Sequence, residues 1–168
     1  MPRILAALLV VFLSPAFAAD VIPGKGDKAP VALGTTLDGT TLDAGQYRGK
    51  VLVVTFWASW CGPCLKELPM LEGLQRAVGK DRLHVVAVNV EDRDVFRKVA
   101  RKLESFTLTL VHDDRKRGSD AYGVKGIPHM VIIGRDGVIV KVNRGYSEEA
   151  LEGILAEINS ALVVAGAA

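Results

Sequence analysis

At 168 residues, with 49% hydrophobic and 24% charged side chains, the chain is long enough for one domain with a buried core, and its composition excludes a disordered or fibrous protein. A formal net charge of +2 is too small for a nucleic-acid-binding surface, so no nucleic-acid partner is expected. Two cysteines, Cys61 and Cys64, exclude a multi-bridge disulfide scaffold and leave room only for a local bridge.

Arg3 precedes an apolar run from Ile4 to Leu13, which is followed by Pro15 and the small-residue site Ala16-Phe17-Ala18. This order predicts a secretory signal peptide over residues 1–18, with cleavage after Ala18 and export from the cytoplasm. The apolar run is far shorter than the ~20 residues a membrane span requires, so no stable span is expected once it is removed. Loss of Arg3 lowers the formal charge from +2 to +1. Residues 19–30, rich in Gly, Pro and Lys, read as a flexible lead-in. A domain is expected over residues 31–162, and residues 163–168 are left as a C-terminal tail.

The Asp38-Gly39 pair between β-prone residues predicts a hairpin over Thr35 to Leu42. Val51 to Phe56, a continuous apolar and β-branched run, suits a central strand covered on both faces. Leu65, Leu68, Leu71 and Leu74 then recur at helical spacing, so a helix begins near Cys61, with Pro69 expected to kink it without ending it. Leu83 to Val90 reads as a second buried strand and Asp92 to Leu103 as an amphipathic helix. Phe106 to Val111 is a further strand and Asp114 to Tyr122 a short helix. Met130 to Ile133 and Val138 to Val142 flank an Asp136-Gly137 turn as an antiparallel hairpin, and Ser147 caps a last helix. The pattern is that of an α/β fold with a central mixed sheet.

A Cys-x-x-Cys pair at the first turn of a helix has a physical reason to react. Unpaired backbone N–H groups and the positive end of the helix dipole stabilise a thiolate, which is the nucleophile. Cys61 is the expected attacking sulfur, and Cys64, one turn further in, the sulfur that resolves the mixed disulfide. A zinc site would need four ligands, and His84, His112 and His129 lack ligand spacing. A purely structural bridge across so short a loop would add little stability. No metal and no cofactor is expected for the exchange itself.

The blocks V-V-T-F-W-A-S-W-C-G-P-C and Y-G-V-K-G-I-P-H-M-V-I-I-G-R-D-G resemble the thioredoxin superfamily, the second supplying its cis-proline loop at Ile127-Pro128. With the signal peptide, the opening hairpin and a helix-strand segment inserted after Val90, the chain looks most like the exported TlpA/ResA-like reductases, which include the CcmG-type cytochrome c maturation proteins. The resemblance implies a thioredoxin fold, the redox pair Cys61 and Cys64, and a substrate-facing Pro128 with Ile127. Trp60 would border the exposed sulfur, while Trp57 packs in the core. It also implies a periplasmic thiol-disulfide oxidoreductase, a protein-disulfide reductase that serves oxidised client proteins of cytochrome c or copper-centre assembly. A membrane thiol electron donor would recharge it, and a monomer is expected.

Thr55 occupies the position where cytosolic thioredoxin carries a buried aspartate. Glu67, three residues after Cys64 and on the same helical face, matches the glutamate of the ResA-like C-x-x-C-x-x-E run and is the catalytic acid-base candidate. The competing reading is a solvated glutamate paired with Lys66 or Arg76. His129, next to Pro128, has three readings: it tunes the pair, caps the loop, or joins Cys61 and Cys64 as a copper ligand. The last defines an alternative function as a copper-binding metallochaperone. The run Arg115-Lys116-Arg117 reads as a solvated face.

Overall fold

The computed structural model describes residues 22–164, so the signal peptide and residues 165–168 of the tail lie outside the described residues. In chain order the strands are β1 (Ala32–Thr35), β2 (Thr41–Asp43), β3 (Val51–Trp57), β4 (Leu83–Asn89), β5 (Thr109–His112), β6 (His129–Ile133) and β7 (Ile139–Arg144). The helices are α1 (Gly62–Val78), α2 (Arg93–Lys102), α3 (Arg117–Ala121) and α4 (Glu148–Val164). Among the described residues the strands form one sheet in the order β2-β1-β5-β4-β3-β6-β7. β3, β4 and β5 run parallel, and β6, β7, β1 and β2 join antiparallel. This is the mixed, helix-flanked thioredoxin fold that the sequence blocks imply.

Every residue of β3 is buried, as a strand covered on both faces requires. Its odd-numbered side chains Val51, Val53 and Trp57 pack with Leu68 and Leu71 of α1 and Ile154 and Ile158 of α4. Its even-numbered Leu52, Val54 and Phe56 pack on the opposite face with Leu33, Val131 and Tyr122. Two-residue periodicity along β3 thus separates two cores, and Thr55 belongs by register to the α1 face.

α1 passes through Pro69 without ending, as its apolar spacing predicts, whereas several other elements differ from the sequence-based expectation for identifiable reasons. The lead-in is not a free linker where it is described. Gly26 donates to the Ile139 carbonyl at 2.9 Å and Ala29 to that of Gly137 at 3.0 Å, while the buried Tyr122 hydroxyl donates to Pro30 at 2.8 Å. β5 starts only at Thr109, because the N–H groups of Thr107 and Leu108 are bound by the Glu72 carboxylate of α1 at 2.8 and 3.1 Å. The expected helix over Asp114 to Tyr122 divides into a 3₁₀ turn, Asp114–Lys116, and α3. The division falls at Arg115 and Lys116, which both take positive φ.

Gly34 is required where β1 crosses β5, since a Cβ there would lie 2.4 Å from the His112 carbonyl oxygen. The Asp136-Gly137 turn forms as its residues predict, with Gly137 at φ 73° and donating to the Gly134 carbonyl at 2.8 Å. Ser147 Oγ accepts from the Ala150 N–H at 3.2 Å, the N-cap bond expected at the start of α4. α4 runs to Val164, two residues past the expected domain end. No helix of the described residues is long and apolar enough to cross a membrane.

Candidate redox site

β3 delivers the chain to the sheet's end, and Ala58 to Trp60 turn it into α1. Cys61 is the N-cap of that helix: its backbone is extended (φ −86°, ψ 97°) and its Sγ accepts from the Cys64 N–H at 3.3 Å. Pro63 lies in the first turn, where its missing N–H leaves no partner unsatisfied. The two cysteines are joined in a disulfide, with Cα atoms 5.2 Å apart. Cys61 retains 5% exposure and Cys64 none, so an incoming sulfur can reach only the first. Trp60, 72% exposed, stands beside it, whereas Trp57 is buried in the core.

The Ile127–Pro128 bond is cis and immediately precedes β6, whose register with β3 pairs Phe56 with His129 and Thr55 with Met130. Two open clefts flank the pair. One, of about 320 Å³, is lined by Gly62, Pro63, Lys66, Tyr146 and Ser147. The other, of about 440 Å³, runs beside Trp60 and Ile127.

Glu67 is 1% exposed and reaches neither Lys66 nor Arg76. Instead it points at β3, where the Thr55 hydroxyl donates to its Oε1 at 2.5 Å, while its Oε2 is buried without a hydrogen bond. Burial pushes the Glu67 carboxyl up to about 7, against the smaller lowering effect of the Thr55 hydrogen bond. A side chain one turn below the resolving cysteine therefore exchanges a proton near neutral pH. Arg76 is engaged by Glu72.

His129 is fully buried on the other face of the sheet, where its ring meets Phe56 edge-on at a centroid distance of 6.0 Å. Both ring nitrogens lack hydrogen bonds. Burial, with Arg144 adding to it, holds the imidazole down at about 4, so it is neutral at physiological pH. Among the described residues no group of three or more His, Cys, Asp or Glu side chains is placed to hold a metal, so His129 does not complete a copper site with Cys61 and Cys64.

Two contributors escaped the sequence reading. Thr55 is the partner of Glu67, not simply the lost position of an aspartate. Glu91 accepts from the Ser59 N–H at 2.6 Å, the Ser59 hydroxyl at 2.8 Å and the Asn89 amide at 3.0 Å. It therefore clips the loop that carries Trp60 to the end of β4. The only sequence signal for it was an acidic residue directly after a strand.

The chain matches the Redoxin family over residues 24–159. It is 29% identical to the thiol-disulfide oxidoreductase ResA of Halalkalibacterium halodurans over 147 residues, covering 86% of this chain and 82% of that one. It is 31% identical to ResA of Geobacillus thermodenitrificans over 144 residues, with 84% and 82% covered. Its fold superposes with a TM-score of 0.74 on the crystal structure of a candidate thiol:disulfide interchange protein DsbE from Chlorobium tepidum. That protein is 30% identical, with 83% of this chain and 99% of that one covered.

Proposed function

Since the chain belongs to the redoxin family and is a thiol-disulfide oxidoreductase of the ResA-like and CcmG-like kind, we propose that it reduces disulfides of exported client proteins in the periplasm. The observation that carries this reading is the Cys61–Cys64 pair at the start of α1 with a buried carboxylate one turn beneath it, bound by Thr55 at one oxygen only. In the reduced protein the Cys61 thiolate attacks one sulfur of the client disulfide, and the other client sulfur leaves as a thiolate that takes a proton from solvent. Cys64 then passes its proton to Glu67 and attacks Cys61 Sγ, closing the bridge and expelling the second client thiolate. Two electrons move from the dithiol to the client disulfide, and a membrane dithiol donor restores the pair.

The shape of the site supports each assignment. Cys64 is fully buried, so its ionisation without a local base would set a second anion beside Cys61 in a desolvated place. Glu67, held by Thr55 at one oxygen and free at the other, can take that proton near neutral pH. Trp60, Ile127 and Pro128 form the substrate face around Cys61. Clients of cytochrome c or copper-centre assembly fit the relationship to the ResA-like and CcmG-like proteins.

The test is the reduction potential of the pair together with trapping by single variants. A value near about −270 mV supports a reductase, and one near about −120 mV would make the protein an oxidant. Cys64→Ser should accumulate mixed disulfides with oxidised substrate, and Cys61→Ser should accumulate none. The reverse pattern would exchange the two roles.

A further inference from the structure

We infer that the groove beside Trp60 selects client segments with acidic side chains next to the reacting cysteine, and that Lys116 and Lys125 read them. This rests on the reading that Cys61 exchanges with client disulfides. The groove, of about 440 Å³, has an apolar floor that includes Val124 and Ile127 and carries Lys116, Lys125 and Asp120 in its lining. Both lysines are exposed, and among the described residues neither is held in an ion pair. An extended client segment entering beside Cys61 thus meets two unpaired ammonium groups against one carboxylate.

The backbone adds an independent reason to assign Lys116 a task. Arg115 (φ 54°, ψ 29°) and Lys116 (φ 58°, ψ 18°) are consecutive non-glycine residues in the left-handed region, which is unfavourable for side chains with a Cβ. Neighbouring groups hold the pair there. The Asp113 carboxylate, 6% exposed, accepts from the Gly118 and Ser119 N–H groups at 2.8 and 3.1 Å, and the Ser119 hydroxyl donates to the Lys116 carbonyl at 3.2 Å. Of the three basic residues, Lys116 alone lines the groove, while Arg117 is spent on Asp114 at 3.2 Å. The run is exposed, as a solvated face should be, and its shaped backbone sets Lys116 in the lining of the groove beside the redox site.

The experiment compares kcat/KM for three synthetic peptides, each a disulfide-linked dimer around a single cysteine flanked by aspartate, by lysine or by serine. The wild-type protein should prefer the aspartate peptide over the lysine peptide by about tenfold at low salt, the scale of two exposed ion pairs, and the preference should shrink near 1 M salt. Lys116→Glu with Lys125→Glu should invert the preference while leaving the serine peptide unchanged. Lys116→Gly should keep the thermal midpoint, because glycine accepts φ 58° without penalty, yet lose about threefold of the preference. Equal rates for the two charged peptides, with the serine peptide reduced normally, would overturn this inference alone. Failure to reduce the serine peptide would overturn the reductase reading and this inference with it.

Discussion

Glu67 stands at helical spacing from Cys64, and the Thr55 hydroxyl holds its carboxylate inside the protein. A glutamate on a helix next to Lys66 is ordinarily solvated, and only the twelve-residue closure from Thr55 turns it inward. That bond carries a prediction about the proposed base. The hydroxyl donates to Glu67 and favours its ionised form, so Thr55→Val, which keeps the shape and removes the donor, should raise the carboxyl further above about 7. A hydrogen bond to a charged group contributes about 1.5–3 kcal/mol, equivalent to roughly one to two pH units. The pH profile of the resolving step, read by single-turnover release of reduced substrate, should shift upward by that order in Thr55→Val. In Glu67→Gln it should flatten with slower release, while the alkylation rate of Cys61 stays as in the wild type. A profile identical in all three proteins would mean that solvent, not Glu67, takes the proton from Cys64.

At the scale of elements, α1 is not held on the sheet by apolar packing alone. Glu72 binds the N–H groups of Thr107 and Leu108 and the Thr107 hydroxyl, and Gln75 accepts from the Val85 N–H at 2.7 Å and donates to Thr107 at 2.9 Å. This helix carries both cysteines, so its seat on β4 and the start of β5 sets their position. Glu72→Ala leaves two backbone donors without their acceptor and should destabilise the fold by about 2–3 kcal/mol in urea unfolding, with Glu72→Gln losing less. A loss below about 0.5 kcal/mol would show that water replaces the carboxylate. The same contacts explain where the sequence reading stopped. β3, β4, α1 and the β6–β7 hairpin were legible because apolar periodicity and Asp-Gly turns are local signals. The late start of β5 was not, because it depends on a side chain 35 residues earlier in the chain. The left-handed pair at Arg115 and Lys116 was hidden for a different reason: neither residue type signals positive φ, and the local side-chain bonds of Asp113 and Ser119 that hold it leave no periodic pattern in the sequence.

Across the whole molecule, the two faces of the sheet bury titratable groups whose pH dependences oppose each other. On one side Glu67 is raised from 4.5 to about 7 by burial, so the folded state binds more protons than the unfolded state between those values, and stability falls as pH rises through them. On the other, His129 is lowered from 6.5 to about 4 by burial and by Arg144. The half-buried His84 is also lowered to about 4, by burial first, with Lys80 and Lys50 adding to it. For both histidines the folded state binds fewer protons, so their contribution is complete above 6.5 and is lost as pH falls toward 4. Each shift amounts to about 3 kcal/mol at full extent. Between pH 4.5 and 6.5 each group contributes about 2 kcal/mol and one carboxyl cancels roughly one imidazole, so the oxidised protein, in which the cysteines do not titrate, should gain only about 2 kcal/mol across that window. Removing Glu67 removes the opposing term: Glu67→Gln should gain about twice as much over the same range, and His129→Phe should leave the curve almost flat if the larger ring is accommodated beside Phe56. Urea midpoints of the three oxidised proteins at pH 4.5, 5.5 and 6.5 check this. Parallel curves for wild type and Glu67→Gln would show that Glu67 titrates at an ordinary carboxylate value, and the resolving step would then need another base.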